Sequence, residues 1–345
     1  MIAMSGGVDS TVAAYLTSRL GFDCFGATMK LLSNVDIGPD ARDAAYKLSI
    51  PHHVFDLSYE FESIVVRRFV EDYERGNTPN PCIDCNRCVK FGTLLSRAME
   101  LGCDFLVTGH YAGIEWNDET GRFSLKKALD REKDQSYFLY SMTQEQLARV
   151  LFPLGGMRKK EVRDVAMTQG FTNAQKRDSQ DICFVTGAYG NYANFIERHT
   201  GKRQAPGDFI DLEGKPLGRH KGLIHYTIGQ RKGLGIAFSH PMYVCAKNAH
   251  NNSITLGSEE MLFSTTVAAD SFNWIRPRQT APVRVTARTR YRQAEQWATV
   301  VSIEDDFVRI EFDEPQRAVA PGQALVLYDG DEVIGGGTII QQENV

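Results

Sequence analysis

The 345-residue sequence contains no run of 18 apolar residues, so no helix-length stretch of it is suited to cross a bilayer. Its N-terminus has no basic stretch leading into an apolar core, so no secretory signal is expected. Internal repeats and low-complexity tracts are also missing. The seven cysteines are an odd number and unevenly placed. That argues against a disulfide framework and for a reducing compartment, so a cytoplasmic location is expected. A net charge of −4 gives no overall pull toward nucleic acid. The chain is too long for one typical domain, and two or three are expected.

The first informative stretch is MIAMSGGVDSTVAAYL. Ile2 to Met4 form a short apolar run, and Ser5, Gly6 and Gly7 a loop with freedom for positive φ. Val8, Val12, Leu16 and Leu20 then recur every fourth residue, the stripe of a core-facing helix capped by Gly21. A glycine-rich loop feeding a helix N-terminus is an anion site, because free N–H groups and the helix dipole face the ligand. A Walker A loop needs a lysine that is absent, and the Gly-x-Gly-x-x-Gly fingerprint is absent too. Ser5-Gly6-Gly7-Val8-Asp9-Ser10 instead resembles the loop of ATP pyrophosphatases, which adenylate a substrate and release pyrophosphate.

Up to about residue 190, strand-like segments (FDCFGATMKLL, HHVFDL, CDFLVTGH) alternate with helix-like ones (EFESIVVRRFVEDYERG, CVKFGTLLSRAMELG, RKKEVRDVAMTQG). The alternation predicts a doubly wound parallel α/β sheet, over residues 1–197. Ligands in such sheets sit at strand carboxyl ends, which gathers the Ser5–Ser10 loop, Met29 and Gly109 at one crevice. Residues 198–258 are glycine-rich, with short strands, and read as a small mixed domain. Residues 259–345 run strand after strand with Asp-Gly and Gly-Gly turns, the pattern of a small β-barrel. Charge is locally biased: residues 271 to 294 hold six arginines and no acid, and residues 201 to 232 hold seven Lys/Arg against three acids. Such clusters suit phosphate backbones, although a solvated strand face has the same look.

NTPNPCIDCNRCVKF is the second informative stretch. Pro79 and Pro81 impose an extended loop before a helix, with Cys82, Cys85 and Cys88 in the loop and first turn. Cys183 follows in KRDSQDICFV. Three chemistries fit. A thiol near a helix N-terminus has a lowered pKa and can relay sulfur as a persulfide. Cys-x2-Cys-x2-Cys is part of an iron–sulfur spacing. Structural zinc would need Cys183 or a histidine as fourth ligand. Cys24, Cys103 and Cys245 read as core cysteines.

Together and in order, the Ser-Gly-Gly-Val-Asp-Ser loop, Asn80-Pro81, Cys85-Asn86, TGHY, KDQSYFLY, DSQDICF, HYTIGQRKGLGI, TRYRQ and PGQ resemble the bacterial tRNA-specific 2-thiouridylase family, from residue 3 to about 337. The resemblance implies an adenine-nucleotide α-hydrolase-like (PP-loop ATPase) domain with a doubly wound parallel sheet, a small mixed tRNA-binding central domain and a C-terminal β-barrel. It implies that ATP activates C2 of a wobble uridine for sulfur transfer, giving AMP and pyrophosphate. Ala3, Met4, Ser5, Gly6, Gly7, Val8, Asp9, Ser10, Met29 and Gly109 would bind ATP, with Mg²⁺ on its phosphates and Asp9 also catalytic. Asn80, Pro81 and Cys82 would face the extruded base, Cys85 would be the nucleophile and Cys183 the persulfide carrier. His110, Lys133, Asp134, Gln135, Arg290, Tyr291 and Gln323 would contact the tRNA anticodon arm. A cysteine desulfurase or sulfur-relay protein would supply the sulfur, and no membrane partner is implied.

Many family members carry Asp at the position of Cys82 and lack Cys88. Cys82, Cys85 and Cys183 therefore also fit a [4Fe–4S] cluster with one open iron. Residues 178 to 190 are expected to move, since a persulfide is loaded outside and delivered inside. An amidating synthetase would need an ammonia source, and no glutaminase nucleophile motif is evident. A tRNA adaptor without catalysis is disfavoured by the intact Asp9, Ser10, Cys85 and Cys183.

Overall fold

The computed structural model describes residues 1–33, 39–176, 182–185 and 189–341. Five short strands come first: β1 (Ile2–Ala3), β2 (Gly26–Lys30), β3 (His52–Asp56), β4 (Leu106–Val107) and, further along, a strand at Val150–Leu151. All pair in parallel, in the order β3-β2-β1-β4 and then Val150–Leu151. The winding reverses between β1 and β4, so the crevice for a ligand opens at their carboxyl ends. The residues after those ends are the Ser5 loop and Thr108-Gly109-His110.

The helix Val8–Arg19 follows the loop, with Val8 and Val12 buried. Leu20, expected on the same buried stripe, is 72% exposed because it is the C-cap, and Gly21 beyond it takes φ 83°. Residues 58–74 and 81–100 each form one continuous helix with a wide π-helical stretch inside, Phe61–Val66 and Cys85–Leu94. Such π turns often accompany functional positions. Cys24 and Cys103 lie just ahead of β2 and β4 and are half-buried, as is Cys245; none is a full core cysteine.

Between β4 and Val150–Leu151 the chain makes a hairpin, β5 (Ala112–Asn117) and β6 (Arg122–Lys127), that leaves the parallel sheet altogether. With Val150–Leu151 as β7, the middle segment adds β8 (Gly207–Ile210), β9 (Pro216–His220), β10 (Tyr243–Asn248) and β11 (Ser253–Gly257), a four-stranded sheet in the order β10-β11-β8-β9. The last segment holds β12 (Phe263–Trp274), β13 (Val283–Arg288), β14 (Gln296–Glu304), β15 (Phe307–Arg317), β16 (Ala324–Asp329) and β17 (Glu332–Ile339). These pair antiparallel in the order β12-β15-β14-β13-β16-β17, and β12 pairs again with β17 to close a barrel. The hairpin hangs on its outside through Glu332 opposite Lys126.

The principal core crosses these boundaries. Phe61, Phe69 and Leu94 of the first segment, Ile196 and Ile224 of the middle one, and Val326 and Tyr328 of the barrel belong to one buried cluster. Among the described residues, no helix is long and apolar enough to cross a membrane.

Candidate active site

The loop after β1 is stiffened from within. The Ser10 hydroxyl donates to the Gly7 carbonyl (3.0 Å) and accepts from the Ser5 N–H (3.1 Å). Gly6 takes φ 76°, and a Cβ there would lie 3.0 Å from Asp40 Cβ. Asn173 donates to the Gly6 carbonyl (3.1 Å) and to Thr11 Oγ1 (2.8 Å), tying the loop to a distant turn. Gly109 meets this loop from β4: a Cβ on it would lie 2.7 Å from the Ser10 nitrogen. Only glycine allows that approach.

Asp9 is held on three sides. Lys159 Nζ donates to both its oxygens (2.7 and 2.8 Å), and the Tyr111 hydroxyl donates to Oδ1 (2.7 Å). Neither partner was legible from local sequence.

These elements wall a cavity of about 540 Å³. Ala3, Met4, Ser5, Gly6, Asp9, Ser10, Met29, Gly109, His110, Gln135 and Cys183 all line it. Ala27, Met29, Leu31 and Leu32 make an apolar side, and Lys30, Lys90 and Lys176 bring positive charge. A flat base against apolar side chains and phosphates against lysines and the helix N-terminus would match this division. Of the expected nucleotide residues, Gly7 and Val8 do not line the cavity. Val8 is 3% exposed with its side chain in the core, so only its backbone could serve.

The thiols lie along the helix at residues 81–100 and on the segment 182–185. Asn80 caps that helix by accepting from the Cys82 N–H (3.3 Å), and Pro81 fills the first position, where no N–H is needed. Phe184 anchors Cys183: it is 4% exposed and packs edge-on to Phe61 and Phe69 and at a tilt to Phe195. Residues 178–181 and 186–188 of the segment expected to move lie outside the described residues.

All seven cysteines are thiols. Burial pushes the Cys183 thiol up to about 12, with Cys85 and Cys82 pushing the same way and Lys90 opposing them. Cys85 is raised by burial, opposed by Lys90 and reinforced by Cys82. Cys82 is raised by burial and opposed by Lys90. The sequence predicted lowered values from the helix N-terminus. Burial outweighs the helix end, and Cys85 already stands in the second turn.

Lys90 is the residue that sequence reasoning missed. Its ammonium donates to Asn86 Oδ1 (2.8 Å) and sits 3.3 Å from His110 Nε2. His110 Nδ1 pairs with Thr108 Oγ1 at 2.7 Å, and burial together with Lys90 holds the ring well below its ordinary pKa, hence neutral. A lysine two positions after Cys88 gave the only available signal.

Comparison with known proteins follows the same division of the chain. Residues 1–187 match the family described as "tRNA methyl transferase HUP domain", residues 193–258 "tRNA methyl transferase PRC-barrel domain" and residues 264–339 "Aminomethyltransferase beta-barrel domain". The "tRNA-specific 2-thiouridylase MnmA" of Acetivibrio thermocellus is 46% identical over 98% of both chains. That of Clostridioides difficile is 45% identical over 98% of this chain and 97% of its own. That of Lachnoclostridium phytofermentans is 44% identical over 99% of both. The chain belongs to the tRNA-specific 2-thiouridylase family.

The residues expected at the RNA are placed unequally. Asp134 is 2% exposed; Oδ1 accepts from the Ala128 N–H (3.0 Å) and Oδ2 from the Ser136 hydroxyl (2.8 Å). That position makes it a buried fastener of the turn rather than a surface contact. Gln135 accepts from the Tyr111 N–H (2.9 Å) while lining the cavity. Lys133 is half-buried beside it. Arg290 donates to the Ala318 carbonyl, and Tyr291 packs on Phe138 with ring centres 4.3 Å apart. Gln323 donates to the Thr78 carbonyl (2.6 Å), just ahead of Pro79, Asn80, Pro81 and Cys82.

Proposed function

We propose that the chain is an ATP-dependent tRNA-uridine 2-sulfurtransferase, and that one cavity serves both activation and sulfur delivery. The observation that carries this is Cys183 lining the same cavity as the Ser5–Ser10 loop. Names of relatives alike across nearly the whole chain support the reaction, and the HUP match supports a nucleotide.

The C2 oxygen of uracil is a poor leaving group. Its attack on the α phosphate of ATP expels pyrophosphate and converts it into AMP ester. The loop N–H groups, the helix N-terminus and the cavity lysines would stabilise charge on the phosphates. Mg²⁺ bound with ATP would neutralise developing phosphate charge. The carboxylates on this wall, Asp9 and Asp40, are already paired with Lys159 and Lys176, so the ion would be held chiefly by phosphates and water.

The terminal sulfur of a Cys183 persulfide then attacks C2, and AMP leaves with the bonding pair. Cys85 thiolate attacks Cys183 Sγ, forming a Cys85–Cys183 disulfide and releasing 2-thiouridine as the thiolate. An external dithiol reduces that disulfide for the next turnover. A persulfide is more acidic than its parent thiol. The raised pKa that keeps unloaded Cys183 protonated therefore still permits the loaded form to react. Lys90, beside all three thiols, favours each anion.

Among the described residues, no three His, Cys, Asp or Glu side chains are gathered around a single metal ion. A [4Fe–4S] cluster on Cys82, Cys85 and Cys183 is the second reading, since these thiols lie close enough to raise one another's pKa. Iron and acid-labile sulfide in protein purified without oxygen, lost in Cys82→Ala, would decide for the cluster, and their absence with thiolation intact for the persulfide. Cytoplasmic residence and sulfur supply by a cysteine desulfurase or relay protein complete the proposal.

The test is thiolation of tRNA transcripts with ATP and a persulfide donor, read by pyrophosphate release and nucleoside mass. Wobble-uridine transcripts should gain one sulfur, and Cys183→Ser should gain none. Equal activity on a wobble-cytidine transcript would refute the assignment.

A further inference from the structure

The loop at residues 76–80 joins the two π-containing helices and leads directly into the helix that carries Cys82 and Cys85. Its backbone is gripped by both downstream segments. From the middle segment, Lys247 on β10 aims its ammonium at the carbonyls of Asn77 (3.5 Å) and Tyr226 (3.0 Å). From the barrel side, the Pro321 carbonyl accepts from the Thr78 N–H (2.8 Å) and Gln323 donates to the Thr78 carbonyl (2.6 Å). Gly322, at φ 88°, lets the barrel chain approach; a Cβ there would lie 3.0 Å from Asn77 Cβ and 3.1 Å from the Thr78 nitrogen.

Lys247 is the unusual member. It is 4% exposed, and burial alone shifts its ammonium, with no neighbouring carboxylate among the described residues to oppose it. A buried ammonium satisfied only by carbonyls is costly to keep. Those carbonyls belong to separate segments, one of them the loop that starts the thiol helix, so the ammonium fixes where that loop sits.

We propose that Lys247 is a positioning residue for sulfur transfer: with Gln323 it holds the 76–80 loop between the middle segment and the barrel, and so sets the entry of the helix bearing Cys82 and Cys85. This rests on the sulfurtransferase reading above. The grip itself is a property of the free protein and can be measured without it.

The experiment compares parent, Lys247→Met and Gln323→Leu in two assays. The first is the alkylation rate of Cys82 and Cys85 in the free full-length protein, resolved by peptide mass. The second is single-turnover thiolation with the persulfide preloaded, alongside tRNA affinity. Loosening the loop should raise alkylation at least threefold in both variants and, in Lys247→Met, slow the single-turnover rate about tenfold with tRNA affinity within twofold. Unchanged alkylation in both variants, or a rate loss in Lys247→Met wholly matched by lost tRNA affinity, overturns the proposal. Gln323 is also expected to meet the RNA, so Gln323→Leu, which removes one half-buried amide, is read by the alkylation rate, and that rate decides the grip if Lys247→Met does not fold. If the parent thiolates no tRNA, the sulfurtransferase reading falls and the alkylation comparison still decides whether the grip exists.

Discussion

Lys90 is a cation beside three thiols, Cys82 and Cys183 with exposed surface and Cys85 half-buried, and a neutral histidine. Each thiol is raised by burial, so each is mostly protonated at neutral pH, and Lys90 is what limits the rise. Lys90→Met should raise all three thiol pKa values further. At pH 8 the alkylation of Cys85 should slow several-fold, and the pH midpoint of that reaction should move up. A midpoint that stays put or falls would show that Lys90 does not set the thiol chemistry. The cysteines themselves were legible, because a Pro/Asn loop is a poor place for structural thiols. Their pKa direction was not, since it depends on packing by Phe184 and its neighbours from distant segments. The same holds for Asp9: its loop was readable, its partners Tyr111 and Lys159 were not, being 102 and 150 residues away.

At the scale of elements, the phosphate loop depends on the close crossing of β4's exit over the start of the helix Val8–Arg19. Gly109→Ala would place a methyl 2.7 Å from the Ser10 nitrogen and 2.8 Å from the Asp9 carbonyl carbon, both backbone atoms that cannot swing aside. We expect a loss of about 1–3 kcal/mol of stability and at least tenfold weaker ATP binding, read by thermal unfolding and equilibrium dialysis. Unchanged ATP affinity would mean that the crossing does not shape the site. The loop, this helix and the order of β-α units could be read because each follows from local periodicity and turn residues. The hairpin β5–β6 could not. Its segment continued a run of α/β alternation, and what decides its place is a partner strand at the far end of the chain.

For the whole molecule, one core binds the three segments, so disturbances at a junction are felt globally. Lys247 gives this a pH signature. Burial lowers its pKa from 10.5 to about 8. Between those values the unfolded chain holds a proton that the folded one lacks, so stability rises with pH through that window. The buried charge weighs on the fold most fully below pH 8 and is relieved above it. Relative to the parent, Lys247→Met should therefore lose about 3 kcal/mol of its advantage between pH 7.5 and 10.5. Paired denaturant unfolding at the two pH values measures this, and a constant difference would show that Lys247 is not buried as a cation.

The hairpin β5–β6 also sets a timetable. Ser124 bonds Glu332, 208 residues further along. At ribosomal speeds of about 5–20 residues per second, that is a wait of roughly 10–40 s before its seat on β17 has been synthesised. During that interval a finished strand edge stands open to any passing chain. Lys126 and Lys127 at the end of β6, with Glu115 paired to Lys126, supply the charges that discourage such a partner until the proper one arrives.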